Sequence, residues 1–179
     1  MIRILACVCL VVCLVGLGLA LPQATSPNLT GKWVLNLKRS DLDWPPKDNG
    51  GNKPRNRKDC CETKSAFEII DDKEPNITIT RTVTELDEDG KERTREWSIK
   101  MTTDDKETVN QTEGYTERIT AHWNSDRLII NEVHENSRFP RNIEFRSLSK
   151  DGKTMTVEVY VGRVEGQPVI TEVFERSDK

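Results

Sequence analysis

Residues 76–85 read Asn-Ile-Thr-Ile-Thr-Arg-Thr-Val-Thr-Glu, and their alternation is the clearest structural signal in the chain. One set of alternate positions is Ile, Ile, Arg and Val, while the other set is mostly Thr. This two-residue period is typical of a β-strand that buries one face and exposes the other. The next residues, 87–90, read Asp-Glu-Asp-Gly, and an Asp-Gly ending favours a tight hairpin. The stretch therefore predicts an antiparallel strand pair.

The same pattern extends outward from this hairpin in both directions. Towards the N-terminus it predicts strands at 31–37 and 67–70. Towards the C-terminus it predicts strands at 95–103, 115–123, 127–135, 141–149, 154–161 and 168–176. Most are joined by short turns, and no ten-residue run has a helical period. The count is about nine strands of an antiparallel meander.

The fold class that follows is an all-β, antiparallel up-and-down β-barrel of about eight to nine strands. A sheet with one apolar face must cover that face and dispose of its two edges, and closure into a barrel does both. A two-layer sandwich is the competing architecture, but it usually has Greek-key crossovers and often an internal cysteine pair, and neither is visible. The barrel domain is predicted to cover residues 29–179.

The N-terminal segment has the pattern of a secretory signal peptide at residues 1–20. A short positive start precedes an apolar run that ends in Gly18-Leu19-Ala20, with small residues at the predicted cleavage site. An uncleaved membrane anchor is the alternative. Residues 21–28 would then be a flexible lead-in. We expect a secreted or periplasmic protein that has no stable membrane insertion after cleavage.

Residues 38–65 are predicted to form one long first loop, rich in Pro, Gly and charge. Two interpretations of this loop are open: it is a solvated loop, or it is a lid or protein-binding segment. Cys60 and Cys61 are the only cysteines outside the signal peptide, and they are adjacent. A disulfide between neighbours closes a strained ring, so free thiols or an intermolecular bridge are the alternatives to that possible disulfide.

Composition and motifs exclude several function classes. The chain has 27 basic and 30 acidic residues, and this balance argues against nucleic acid as a partner. No His or Cys pair has metal-site spacing, so the sequence predicts no metal site and no cofactor. Catalysis would rest on His134 beside Glu132, without a nucleophile, because His122 is predicted to face solvent. The protein is therefore predicted not to be an enzyme.

A resemblance to a known family rests on the two ends of the domain. Gly31-x-Trp33 opens the first strand and Arg176 ends the last one, and this arrangement resembles the lipocalins and the wider calycin family. Residues 31–40, 151–157 and 171–176 look like segments of secreted bacterial lipocalin-like domains. The resemblance implies that Arg176 packs across the Trp33 indole and closes the barrel, with Gly31 allowing close backbone approach. The chain departs from typical lipocalins in lacking a widely spaced cysteine pair and a C-terminal helix.

The predicted function is an extracytoplasmic lipocalin-like barrel that binds or carries a small apolar or amphipathic ligand. An eight-stranded barrel either holds one small ligand or is filled by its own side chains. The alternative is therefore a filled barrel that acts as a protein-interaction module through residues 38–65. The predicted ligand-binding residues are Leu35, Leu37, Ile79, Arg81, Trp97, Ile99, Met101, Glu117, Ile119, Trp123, Val157 and Val159.

Two charged residues stand among these inward positions. Arg81 is in phase with Ile79, and Glu117 is in phase with Ile119. If both point inward they need each other or a polar ligand head group, because an unpaired buried charge costs several kcal/mol. The alternative is that each lies near a mouth of the barrel and is hydrated.

Overall fold

The computed structural model describes residues 26–42, 62–87, 89–112, 115–135, 141–162 and 168–177. The predicted signal peptide, Cys60 and Cys61 lie outside these ranges, as does most of the lead-in and of the first loop. Within them, no helix is long and apolar enough to cross a membrane. The strands are β1 Gly31–Leu35, β2 Glu62–Lys73, β3 Asn76–Leu86, β4 Glu92–Thr102, β5 Thr108–Thr112, β6 Tyr115–Asn124, β7 Arg127–His134, β8 Arg141–Leu148, β9 Thr154–Val161 and β10 Ile170–Ser177.

All ten strands belong to one antiparallel sheet in the order β4-β3-β2-β1-β10-β9-β8-β7-β6-β5. Every neighbour is adjacent in sequence except β1 and β10, which pair through Trp33 opposite Arg176 and join the two halves of the meander. The predicted antiparallel barrel is confirmed as a nearly closed barrel, with ten strands instead of eight or nine. The two-layer sandwich is wrong, because the ten strands form a single sheet.

The barrel is completed where β4 meets the β5–β6 hairpin. No backbone ladder joins β4 to β5 among the described residues. Instead, the Asn110 side chain accepts a hydrogen bond from the Lys100 amide and donates one to the Lys100 carbonyl, both at 3.0 Å. Just beyond β4, the Asp105 amide donates to the Ala121 carbonyl of β6 at 3.1 Å. These polar contacts hold the edge strand β4 against the β5–β6 hairpin.

Three element predictions need correction. Strand β5 was not predicted, because Thr108–Thr112 is short and has no apolar alternation. Strand β2 covers twelve residues, so the predicted loop 38–65 ends before Glu62. Strand β1 ends at Leu35, because the Asn36 side chain accepts the Lys38 amide at 3.1 Å and turns the chain. Leu37 therefore lies in a turn, 39% exposed, and not on the barrel interior.

The barrel interior is made by one register-matched set of side chains. Cross-strand partners such as Ile70 and Ile79, or Ile79 and Ile99, point to the same face of the sheet. A compact apolar cluster fills one part of the interior. Its members include Leu29, Trp33, Leu35, Ile70, Ile77, Met101, Ile119, Ala121, Leu128, Ile130, Met155, Val157 and Phe174.

One end of the barrel is closed around an indole ring. The Arg176 guanidinium lies 4.4 Å from the centre of the fully buried Trp33 ring. The Trp33 indole N–H donates to the Leu29 carbonyl at 2.8 Å. Gly31 has a φ of +141°, which favours glycine, and a Cβ there would stand 3.5 Å from the Arg176 guanidinium. These contacts stabilise the β1–β10 junction.

Candidate functional site

A cavity of about 250 Å³ occupies the part of the interior that the apolar cluster leaves unfilled. Three apolar side chains form one part of its wall, and seven charged or titratable side chains form the rest. The lining residues are Glu68, Ile79, Arg81, Trp97, Ile99, Glu117, Glu132, His134, Glu144 and Arg146. The interior is therefore partly filled and partly hollow, and the hollow part is amphipathic.

Arg146 on β8 is the most deeply buried cation of this interior, at 2% exposed. Its guanidinium donates to both carboxylate oxygens of Glu68 on β2, at 2.5 and 3.2 Å, and also to Glu144 on its own strand. Burial alone would raise the pKa of Glu68, but the charges and hydrogen bonds of Arg146 and Arg81 outweigh it and hold that pKa below its usual value. The pair joins two strands that are not neighbours in the sheet.

Arg81 on β3 makes a second set of pairs inside the barrel. Its guanidinium donates to both oxygens of Glu172 on β10, one of them at 2.7 Å, and to Glu68 at 3.3 Å. It also lies 5.9 Å from the Trp97 ring centre and 5.7 Å from that of Phe174. The interpretation that Arg81 is hydrated at a mouth is wrong, because its side chain is only 19% exposed.

Glu117 on β6 and His134 on β7 are direct cross-strand partners, and Glu132 lies two residues before His134 on the same face. One His134 ring nitrogen lies 3.5 Å from Glu117 and the other lies 3.5 Å from Glu132. Asn142 of β8 contacts His134 Nε2 at 3.1 Å. Glu117 is 5% exposed, so the interpretation that it is hydrated at a mouth is wrong for this residue too. Its partner is His134 and not Arg81.

The pKa values of this trio are displaced by burial and by each other. Burial, followed by the Glu132 charge, raises the pKa of Glu117 against the attraction of His134. The hydrogen bond with Glu132 raises the pKa of His134, desolvation opposes it, and the charges of Glu132 and Glu117 add to the increase. The acidic neighbours therefore favour the protonated form of the His134 imidazole, and burial favours the protonated form of the Glu117 carboxyl.

We refer to the eight charged residues of the interior as the interior charge cluster. It contains five glutamates against two arginines and one histidine, and the arginines already contact carboxylates. Burial raises the pKa of Glu144 to about 7, with Arg146 opposing the increase and the Glu132 and Glu68 charges adding to it. The members are Glu68, Arg81, Glu117, Glu132, His134, Glu144, Arg146 and Glu172.

The predicted ligand-binding residues separate into two groups in the structure. Ile79, Arg81, Trp97, Ile99 and Glu117 line the cavity. The remaining inward residues belong to the apolar cluster or pack against it, and they are Leu35, Met101, Ile119, Trp123, Val157 and Val159.

Six members of the interior charge cluster were absent from the predicted ligand-binding residues: Glu68, Glu132, His134, Glu144, Arg146 and Glu172. A signal for them was present. Glu132 is in phase with the buried Leu128 and Ile130, and Glu144 and Arg146 stand opposite inward residues of β9. From the sequence alone, each inward charge is a property of a single residue, whereas the eight charged residues lie on six strands and face one interior.

Fold and site together define a nearly closed, ten-stranded antiparallel barrel with a partly hollow, charged interior. No protein-family profile matches the chain, and no curated protein matches it in sequence. Fatty-acid-binding protein 1 of Echinococcus granulosus is similar in structure, with a TM-score of 0.51 and 12% identity over 83% of this chain and 96% of that one. A fatty-acid-binding protein from Drosophila melanogaster brain has a TM-score of 0.47 and 16% identity, over 83% and 99% of the two chains.

The similarity to the Echinococcus granulosus protein agrees with the predicted antiparallel barrel fold. At 12% identity the similarity shows the fold and does not assign a ligand.

Proposed function

We propose that this protein binds a small amphipathic molecule inside the barrel. The observation that carries the proposal is the cavity of about 250 Å³, which has Ile79, Trp97 and Ile99 on one part of its wall and the interior charge cluster on the rest. Ligand pockets commonly combine apolar walls with a few placed polar groups, at about 300–1,000 Å³. This cavity lies just below that range, which favours a compact ligand over a long chain.

The energetics of such a complex follow from the two kinds of wall. Apolar surface of the ligand buried against Ile79, Trp97 and Ile99 contributes about 25 cal/mol per Å² before the costs of association. The polar head would hydrogen-bond to side chains that ion pairs already hold in place. Binding would therefore cost little additional side-chain entropy. The name of the similar Echinococcus granulosus protein, which refers to an apolar ligand, supports the same class of function.

The proposal includes an extracytoplasmic location, which rests on the signal-like pattern of residues 1–20. The expected finding is a mature protein that begins near Leu21 in the secreted or periplasmic fraction. N-terminal sequencing of the purified protein tests this, and a chain that retains Met1 in the cytosol would contradict it.

Ligand binding is tested by filling the cavity. Ile99→Trp should reduce the affinity for a neutral amphipathic fluorescent probe such as Nile red by at least tenfold, because the larger ring occupies the space the ligand needs. Ile69→Trp is the matched control, since Ile69 is on the outer face of β2 and 50% exposed. It should leave probe affinity unchanged.

Two results would overturn the proposal. One is probe binding that responds equally to the two substitutions. The other is absence of probe binding together with native mass spectrometry that records the bare polypeptide mass after gentle purification.

A further inference from the structure

We propose that Glu117, Glu132 and His134 form a binding site for one divalent first-row transition-metal ion, with Zn²⁺ as the best-suited ion. The site lies on the charged wall of the cavity, and it stands independently of the amphipathic ligand proposed above. The sequence has no metal-binding motif at these residues, and the barrel fold does not imply a metal site.

The strand register brings the three side chains together. Glu117 on β6 stands directly opposite His134 on β7, and Glu132 precedes His134 by two residues, so all three point into the barrel. One donor atom from each of the three residues can be chosen so that all three atoms lie within 4.8 Å of one another. Ligands from two paired strands are held by backbone hydrogen bonds, which makes the spacing rigid.

The Glu117–His134 distance suits a shared ion better than a direct hydrogen bond, while Glu132 is nearest the other ring nitrogen of His134, at 3.5 Å. His134 Nδ1 lies 3.5 Å from a Glu117 oxygen, beyond the usual 2.7–3.2 Å of a hydrogen bond. Ligands about 2.0–2.2 Å from a tetrahedral Zn²⁺ are separated from each other by about 3.4 Å. The observed 3.5 Å separation is therefore close to the distance between two ligand atoms of such an ion.

Glu117 provides a second, independent observation that points to a cation ligand. It is 5% exposed, and its Oε2 atom is buried without a hydrogen-bond partner among the described residues. The same residue lines the cavity. A buried carboxylate oxygen without a partner is costly, and a metal ion in the cavity would satisfy it.

The arrangement of neighbouring charge favours a cation at this position. Arg81 and Arg146, the arginines of the interior charge cluster, contact Glu68, Glu144 and Glu172 and not Glu117. An imidazole with two carboxylates suits Zn²⁺ and similar ions better than Mg²⁺ or Ca²⁺, which prefer oxygen ligands alone. The adjoining cavity leaves room for water at a fourth position.

The first test is Zn²⁺ affinity by isothermal titration of the metal-free full chain. Glu117→Gln and His134→Gln should each weaken binding at least tenfold, because each removes one of three ligands. His122→Gln is the matched control, since His122 lies on the outer face of β6, and it should leave the affinity unchanged. All of these proteins carry Cys→Ser substitutions at positions 7, 9, 13, 60 and 61, which removes the competing thiolates.

The second test needs no change in the interior and so does not depend on the folding of the variants. The chain contains two histidines, and imidazole nitrogen NMR resolves them. Added Zn²⁺ should shift the His134 signals and leave those of His122 in place. The proposal is overturned if Zn²⁺ moves neither signal or only that of His122, or if both interior variants bind as the control does. Such a failure leaves metal-free Nile red binding intact and is thus distinguishable from failure of the proposed function.

Discussion

Arg176 stabilises the barrel through four separate contacts of a single guanidinium. Besides lying over Trp33, it donates to the carbonyls of Gly152 at 3.0 Å, Thr30 at 3.0 Å and Asn28 at 3.3 Å. Three of the four contacts reach the segment at the start of β1, so the residue near one end of the domain fixes the other end. A Lys cannot reproduce this planar set of donors.

Arg176→Ala should lower the free energy of unfolding by about 2–4 kcal/mol, because it removes a cation–π contact of about 1–2 kcal/mol and three hydrogen bonds. Urea unfolding measures the change, and Arg176→Lys should recover only part of it. Arg39→Ala is the control, since the Arg39–Glu175 pair is more than half exposed. Equal effects of the two alanine variants would contradict the assigned role of Arg176.

Glu144 gives the stability of the protein a distinct pH dependence. Its pKa is about 7 in the folded chain against an ordinary value of 4.5, because burial disfavours the carboxylate. Between pH 4.5 and about 7 the folded state thus binds more protons than the unfolded state, and this contribution makes stability fall as the pH rises.

Glu144→Gln should remove that slope, which for one proton is at most about 1.4 kcal/mol per pH unit. Urea unfolding at several pH values between 4.5 and 7 measures it. Glu158→Gln, on the outer face of β9, should leave the slope as it is in the parent protein. A parent whose stability has the same slope as the Glu144→Gln variant would show that folding does not raise the pKa of the Glu144 carboxyl.

At the level of elements, a side chain replaces the missing backbone ladder between β4 and β5. The carboxamide of Asn110 pairs with both backbone groups of Lys100 as a neighbouring peptide would. This explains why the short, polar β5 is held in place although its sequence has little strand character. This carboxamide and the Asp105–Ala121 hydrogen bond therefore join β4 to the β5–β6 hairpin.

Asn110→Ala should free the Lys100 amide, so its hydrogen exchange is expected to rise at least tenfold, with a loss of about 1 kcal/mol in stability. Gln111→Ala serves as the control, because Gln111 is exposed and has only a 3.4 Å contact with Thr116. If Lys100 exchanges at the same rate in all three proteins, the Asn110 side chain does not connect the strands.

Predictability from sequence differs between elements for a physical reason. Strands with strict apolar alternation, such as β3 and β9, were found with nearly their observed bounds. Strand β2 was predicted as residues 67–70 because its outer parts are polar, and β5 was missed altogether. The backbone pairing of β2 and β5 is imposed by the neighbouring strands of the sheet, and the local composition of the two segments does not indicate it.

At the level of the whole molecule, ion pairs cross the interior and connect opposite walls. Glu68 on β2 meets Arg146 on β8, and Arg81 on β3 meets Glu172 on β10, although neither pair of strands is adjacent in the sheet. Removing one partner of a buried pair leaves an uncompensated charge, which is costlier than losing the pair itself.

Arg146→Met should accordingly lower the free energy of unfolding by about 3–5 kcal/mol. Adding Glu68→Gln should restore part of the loss, since it removes a carboxylate that would keep only its 3.3 Å contact with Arg81. Arg93→Met, which affects an arginine side chain that is 71% exposed, is expected to change stability by about 0.5 kcal/mol or less. Chemical denaturation compares the three. An Arg146→Met effect as small as that of Arg93→Met would mean that the interior is hydrated enough to screen these charges.

The sequence by itself determined most of the strand-and-turn pattern and the inward phase of Arg81 and Glu117, because each depends on residues that are close together in the chain. The tertiary structure alone decided which charges pair, that Glu117 faces His134, and that the interior is filled at one part and hollow at another. Those features depend on side chains from non-adjacent strands, and such side chains meet only when the sheet closes on itself.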